Sequence, residues 1–221
     1  STNVYGDITI NDGTTLNAQS YTIQLIGNPS ETGNVTNNGL ITNTSATGSN
    51  FFSFVGLHGL QTISGTGSLG NSTTPFAGII YSNESGVTVE SAIVTNKVYL
   101  YKGIVTGSNN ITLGNGGVSA PIVQRGGILN SEVGSFDQSP VFNEGASYSV
   151  TYSTGLNSYT TGFELPATLS GTLEVSSNVD ITFGSACTTE TLVFSSTNSA
   201  NLVTSEANIL TINNSLPESI T

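Results

Sequence analysis

Apolar residues recur along this chain at every second position in short runs, and the runs are cut by Asn, Gly and Asp. Ile8-Thr9-Ile10 alternates before the turn Asn11-Asp12-Gly13, Leu60–Gly70 (LQTISGTGSLG) alternates between glycines, and Ser147–Tyr152 (SYSVTY) alternates cleanly. A period of two sends successive side chains to opposite faces of a strand, so these runs predict short, half-buried β-strands. No window of about 11–18 residues carries the i, i+3, i+4, i+7 spacing of an amphipathic helix, and helix content is expected to be near zero.

The pattern also repeats at long range. Ile181–Phe194 (ITFGSACTTETLVF) lies on Val87–Leu100 (VTVESAIVTNKVYL) without a gap. Thr88/Thr182, Ser91/Ser185, Ala92/Ala186 and Thr95/Thr189 are identical, and the apolar pairs Val87/Ile181, Val89/Phe183, Ile93/Cys187, Val98/Leu192 and Leu100/Phe194 keep their places. Both copies run into similar endings, Val105–Leu113 (VTGSNNITL) and Val203–Ile212 (VTSEANILTI), and a third version, Leu16–Leu25 (LNAQSYTIQL), stands near the amino terminus. Strands too short to bury their own apolar faces become stable when successive turns of the chain stack on one another. At about 20–25 residues per turn the chain makes about nine to eleven turns, a rod on the order of 45–50 Å long with strands ~4.8 Å apart. The expected fold is therefore an all-β parallel β-helix, or β-solenoid, forming one domain over residues 1–221 with two related halves, about 1–115 and 116–221. The alternative is an antiparallel β-sandwich, whose hairpins need two-residue loops such as Asn38-Gly39. At the corners of a solenoid, Asn is expected to take positive φ and to stack its amides along the ladder.

Charge narrows the picture further. Fourteen acidic residues face three basic ones, Lys97, Lys102 and Arg125, for a net charge of −11, and 8% of residues are charged. That balance lacks the phosphate-neutralising surface of a nucleic-acid binder and repels anionic membranes. No apolar run approaches the ~18 residues of a membrane-spanning helix, so no membrane insertion is expected. The acidity suits solubility at a surface, and so few basic residues leave little for a trypsin-like protease. The chain starts at Ser1 and contains no Met, as a processed chain or a piece of a longer one would. Cys187 has no partner for an intramolecular disulfide and aligns with Ile93, which reads as a small buried hydrophobe.

Candidate chemistry is sparse. His58, the one histidine, sits in Gly56-Leu57-His58-Gly59, a turn, with no cysteine near it in sequence, so neither a metal nor a cofactor is expected. A polysaccharide-cleaving enzyme needs paired carboxylates, and the close pairs are Asp7/Asp12, Glu84/Glu90 and Glu132/Asp137, with Glu132 and Asp137 the ones to test. Asp7, Asp12 and Asp137 read otherwise as solvated turn residues. No Gly-x-Ser-x-Gly elbow surrounds a nucleophile, and no catalytic residue is assigned. Asn-x-Ser/Thr sequons begin at Asn34, Asn43, Asn71, Asn83, Asn110 and Asn213. Tyr99 and Tyr101 flank Leu100 on the opposite face of one strand, as an exposed aromatic pair or as packing for a neighbouring turn. The terminal strands, Val4–Ile10 and Ile209–Ile212, with Val4, Ile8, Ile10, Ile209 and Ile212, are expected to be open edges available for assembly.

The phrases Leu60–Asn71 (LQTISGTGSLGN), Ser85–Asn115 (SGVTVESAIVTNKVYLYKGIVTGSNNITLGN), Gly126–Asn130 (GGILN), Ser147–Thr154 (SYSVTYST) and Thr160–Pro166 (TTGFELP) stand in an order that resembles the repeats of very large secreted surface proteins of Bacteroidetes. Such proteins are exported by the type IX system and are similar to adhesins with β-solenoid stalks. The resemblance runs from about Thr15 to Asn214. It implies a right-handed parallel β-helix at the cell surface, outside the cell, with a non-catalytic structural or adhesive role. The partners it implies are neighbouring domains of a longer chain, further copies of the chain, or surface glycans. The alternatives are a filament subunit joined end to end or by strand exchange, and a carbohydrate-binding or carbohydrate-cleaving β-helix.

Overall fold

Alternating runs a few residues long become strands, and the Gly- and Asn-rich punctuation becomes the corners between them. In the computed structural model, residues 1–43, 51–114, 121–127, 133–143, 147–153, 158–176, 179–195 and 200–213 are described. Six successive turns of the chain contribute three strands each. They are β1 (Thr2–Val4), β2 (Ile8–Ile10) and β3 (Thr15–Asn17); β4 (Ile23–Leu25), β5 (Val35–Asn37) and β6 (Leu40–Thr42); and β7 (Phe52–Phe54), β8 (Gln61–Ser64) and β9 (Ser68–Leu69). The next three turns hold β10 (Ile79–Ser82), β11 (Val87–Val89) and β12 (Ala92–Thr95); β13 (Lys97–Lys102), β14 (Ile104–Thr106) and β15 (Ile111–Leu113); and β16 (Ile122–Arg125), β17 (Ser135–Phe136) and β18 (Val141–Phe142). Then come β19 (Ser149–Tyr152), β20 (Ser158–Thr160), β21 (Thr168–Val175), β22 (Asp180–Thr182), β23 (Cys187–Phe194), β24 (Leu202–Val203) and β25 (Leu210–Ile212). The one helical element among the described residues is a single 3-10 turn, Ser108–Asn110.

Every pairing between these strands is parallel. The molecule is thus a parallel β-helix, and the sandwich is set aside. Asn38-Gly39 is no hairpin loop; it turns the corner between β5 and β6, which belong to different sheets. The first sheet has ten strands, β1-β4-β7-β10-β13-β16-β19-β21-β23-β25, and spans about 43 Å at ~4.8 Å per step. The second sheet runs β2-β5-β8-β11-β14-β17 and the third β3-β6-β9-β12-β15-β18, while a fourth, β20-β22-β24, follows further along the chain. Turn length varies more than the sequence suggested, from 18 residues between Val87 and Val105 to 31 between Ile104 and Ser135. Most of the excess goes into corners, while the register between paired strands shifts by one residue at Tyr81/Ser82 and at Leu169/Thr172.

That register stacks like on like inside the rod. Ile23, Phe52, Ile79, Val98, Val123, Val150, Leu173 and Leu192 form one inward column. Val4, Leu25, Phe54, Tyr81, Leu100, Arg125, Tyr152, Val175 and Phe194 form a second. Each fully buried aliphatic or aromatic side chain contributes about 1.5–3 kcal/mol. Phe54 and Tyr81 stack with centroids 5.5 Å apart and planes 7° from parallel. The fully buried Tyr81 hydroxyl finds no hydrogen-bond partner among the described residues, and burial pushes its pKa far above the phenol range.

The long-range repeat maps onto equivalent corners. The Thr95 hydroxyl is shared between the carbonyls of Phe76 and Lys97, each 3.1 Å away, and Thr189 does the same with Gly171 at 3.2 Å and Thr191 at 3.1 Å. Cys187 takes the inward place of Ile93 and is buried, and burial pushes its thiol up to about 11. Asn behaves differently from expectation. Among the described residues positive φ falls on glycines and on Gln19, not on Asn. Asn side chains instead satisfy backbone: Asn34 Oδ1 accepts from Thr62 N at 2.8 Å, Asn38 Oδ1 from Thr66 N at 3.2 Å, and Asn37 Nδ2 donates to Ser68 O at 2.9 Å. An amide-on-amide step does occur at Asn83, whose Nδ2 donates to Gln61 Oε1 at 3.2 Å.

Two substitutions in one inward column separate packing from polarity. Leu100→Ala is expected to cost about 2–5 kcal/mol in urea unfolding. Tyr81→Phe keeps the stacked ring and removes an unpartnered hydroxyl, and should leave stability unchanged or raise it by about 1 kcal/mol.

Candidate functional site

The alternation in Ile122-Val123-Gln124-Arg125 puts Arg125 on the same face as Val123, so a guanidinium points into the core. It does so where the rod changes construction. The second sheet ends at β17, the fourth begins at β20, and no pairing joins these two strands. Arg125 reaches both sides of the break: Nε donates to Gly134 O, just before β17, at 3.1 Å, and Nη1 donates to Thr160 O, the last residue of β20, at 2.9 Å. Side-chain donors thus take the place of ladder hydrogen bonds that the backbone does not make.

Burying that charge requires a partner, and the segment between β20 and β21 supplies Glu164. Its side chain is fully buried, and Oε1 lies 2.7 Å from Arg125 Nη1. The same oxygen accepts from the Tyr152 hydroxyl at 2.7 Å and from Gly162 N at 2.9 Å, while Tyr148 donates to Glu164 O at 2.8 Å. Burial alone would lower the pKa of Arg125, but the Glu164 charge, helped by Tyr152 and Tyr159, raises it, so the guanidinium stays charged. Burial, and then the Glu164 charge, push the Tyr148 and Tyr152 phenols well up. Arg125 also lies over the Tyr159 ring at 5.7 Å, and Tyr159 donates to Ser153 O at 2.7 Å. Gly126, at φ 79°, makes room for that contact, because a Cβ there would collide with the Tyr159 hydroxyl.

The residues singled out from sequence fall in separate places. Val4 ends β1, Ile8 and Ile10 bound β2, and a corner divides the expected Val4–Ile10 strand into two. Ile209 precedes β25 and is 55% exposed, its carbonyl accepting from Cys187 N at 2.9 Å; Ile212 closes β25. Tyr99 and Tyr101 point outward from β13 but are half-buried, Tyr99 edge-on to Phe51 at 5.4 Å and 5.7 Å from Tyr101. Partial burial raises both phenols, and Tyr101 is raised further by Tyr99.

None of the carboxylate pairs forms a site among the described residues. Asp7 Oδ1 accepts from Gly33 N at 3.1 Å and Asn34 N at 2.7 Å, bracing the next turn of chain. Asp12 lines a shallow groove of about 460 Å³ along the corner between the second and third sheets, with Thr14, Thr15, Asn38, Thr66 and Ser68. Glu84 pairs with Lys102 at 2.6 Å on the surface, and the Lys102 hydrogen bond and charge lower its pKa, while Glu90 is exposed beyond the other end of β11. Glu132 lies outside the described residues. Asp137 caps the turn after β14, accepting from Gly107 N at 3.0 Å, Ser108 N at 3.2 Å and Ser108 Oγ at 2.7 Å. Burial pushes its carboxyl up, but these bonds outweigh that and hold it below the usual carboxylate range.

His58 is exposed in the turn between β7 and β8, and no three His, Cys, Asp or Glu side chains come together among the described residues. Of the sequon asparagines, Asn83 is fully buried, donating to Gly59 O at 2.8 Å, and Asn43 is buried too. Asn110 donates to Val89 O at 2.8 Å, and Asn71 accepts from Thr73 N and Thr74 N. Asn213 is exposed after β25. Sequence reasoning missed the Arg125–Glu164 pair. The signal was there in part, since a basic residue on the apolar face of an alternating strand needs a buried acid. Comparison with protein-family models, with curated proteins and with solved structures finds no match.

Removing one member of the buried pair strands the other, so Arg125→Met should cost about 3–5 kcal/mol. The double variant Arg125→Met with Glu164→Leu removes the buried charge yet leaves Gly134 O and Thr160 O without their donors. Denaturant titration should show only part of the loss recovered, and full recovery would refute the bridging role. For Asp137 the depressed pKa makes the sign definite: its contribution is complete above the unfolded value of about 3.9 and disappears as pH falls through the folded value. The gap in melting temperature between the wild type and Asp137→Ala should therefore narrow from pH 5 towards pH 2.5. A constant gap would contradict the capping role.

Proposed function

We propose that this chain is a non-catalytic, stiff β-solenoid segment of an extracellular cell-surface adhesin or filament. The observation that carries the reading is the ten-strand parallel sheet, which makes the molecule a rod whose corners carry loops sideways. A net charge of −11 keeps such rods apart and in solution. The acidic residues with described side-chain partners support the same reading: Asp7 and Asp137 brace turns and Glu164 neutralises a core arginine, which is structural work.

A second reading, end-to-end assembly, is favoured by the edges. Among the described residues β1, β2 and β3 at one end, and β24 and β25 at the other, each pair on one side only. An unpaired parallel edge offers a row of N–H and C=O groups to a further strand. The donor of that strand is the neighbouring domain of a longer chain or a second copy. Val4, Ile8 and Ile10 at one end and Ile209 and Ile212 at the other belong to this surface.

Electron microscopy and light scattering of the isolated chain over a wide concentration range test both readings. Rods that lengthen in whole multiples as concentration rises are expected if the ends pair, and strictly monomeric particles at high concentration overturn the filament. Incubation with a panel of polysaccharides should release no new chain ends, and reproducible turnover overturns the non-catalytic reading.

A further inference from the structure

The outer face of the first sheet changes character at one strand. β13, KVYLYK, holds both lysines of the chain and two outward tyrosines. In register with Tyr99 on the same face stand Ser53, Ile80, Gln124 and Thr151, and no carboxylate enters that row until Glu174, three strands away. Phe51, Tyr99 and Tyr101 form a continuous aromatic strip, with successive centroids 5.4 Å and 5.7 Å apart. Gly127 lies against its end, where a Cβ would sit 3.1 Å from the Tyr101 ring and 3.0 Å from Gln124 Nε2. The edge of Tyr101 therefore meets a bare backbone shelf with an amide beside it.

Charge singles out the same place. The chain carries three cationic side chains: Arg125 is buried against Glu164, and Lys102 is held by Glu84 at 2.6 Å. Lys97 has no ion pair among the described residues. On a molecule of net charge −11, the one cationic side chain without a carboxylate partner among the described residues lies two residues from Tyr99 on the same face. Half-buried aromatic rings present apolar faces with polar tips, which suits the C–H face of a pyranose ring, and Gln124 can bond its hydroxyls.

We propose that this face binds a uronate-containing polysaccharide, its sugar rings lying along Tyr99 and Tyr101 and a carboxylate meeting Lys97. The inference rests on the adhesive reading above and gives it a ligand class.

The test is binding of the whole chain to alginate and to polygalacturonate, with neutral laminarin alongside, by affinity electrophoresis and calorimetry. The acidic chains should bind and laminarin should not. Tyr99→Ala and Tyr101→Ala should each weaken binding about tenfold, and Lys97→Gln about threefold, with a shallower dependence on salt. Tyr21→Ala, at an exposed tyrosine on another turn of chain, should leave binding unchanged. Lys97→Glu leaves the strip intact, so its loss of binding with an unchanged melting curve answers any folding defect of the tyrosine variants. No binding of either acidic chain, equal binding of laminarin, or full affinity in Tyr99→Ala, Tyr101→Ala and Lys97→Glu overturns the proposal. Binding accompanied by cleavage would instead overturn the non-catalytic reading, so the two failures are distinguishable.

Discussion

The backbone hydrogen bonds between successive turns of the chain are the constraint from which everything else in this structure follows. A strand of three residues cannot satisfy its own N–H and C=O groups, so each turn depends on the ones above and below it. This dependence fixes the register, and the register stacks Phe54 on Tyr81 and Val98 on Val123. It also explains why differences in turn length are taken up mainly in the corners. A residue inserted in a corner costs little, but one inserted in a strand sends every following side chain to the wrong face.

The same constraint accounts for the ion pair in the core, Arg125 with Glu164. Where the second sheet gives way to the fourth, the backbone ladder is interrupted and carbonyls would be left buried without donors. A guanidinium is suited to such a gap, because its fixed fork of donors can reach both sides at once. The cost is a buried charge, which Glu164 neutralises and two tyrosines help to hold. An apolar pair of similar volume could match the stability of a simple ion pair. It could not donate to Gly134 O and Thr160 O, and that difference gives the polar solution its role.

Much of this was legible from the sequence because the information is local and periodic. Alternation showed that Tyr99 and Tyr101 face away from Leu100, and the gapless repeat predicted that Thr95 and Thr189, or Ile93 and Cys187, hold equivalent places. What could not be read depends on partners distant in the chain. Arg125 and Glu164 are 39 residues apart and meet only because two turns of chain stack. Asp137 looked like a free carboxylate because its partners, Gly107 and Ser108, lie a full turn earlier. Asparagine misled in a different way: glycine took the positive-φ corners, and the amides were left to bond neighbouring backbone.

The proposed scaffold role and the proposed sugar-binding face on β13 share one foundation. Both rest on the parallel stack. Gln24 and Glu174 lie on one outward row, separated by six steps through Ser53, Ile80, Tyr99, Gln124 and Thr151. Spin labels at these two positions, with Cys187 changed to Val, measure the stack directly by pulsed dipolar spectroscopy. The account predicts a single narrow distance near 29 Å between the labelled backbone positions, six steps of ~4.8 Å. A broad distribution, or a separation under about 20 Å such as a folded-over sheet would give, would contradict it.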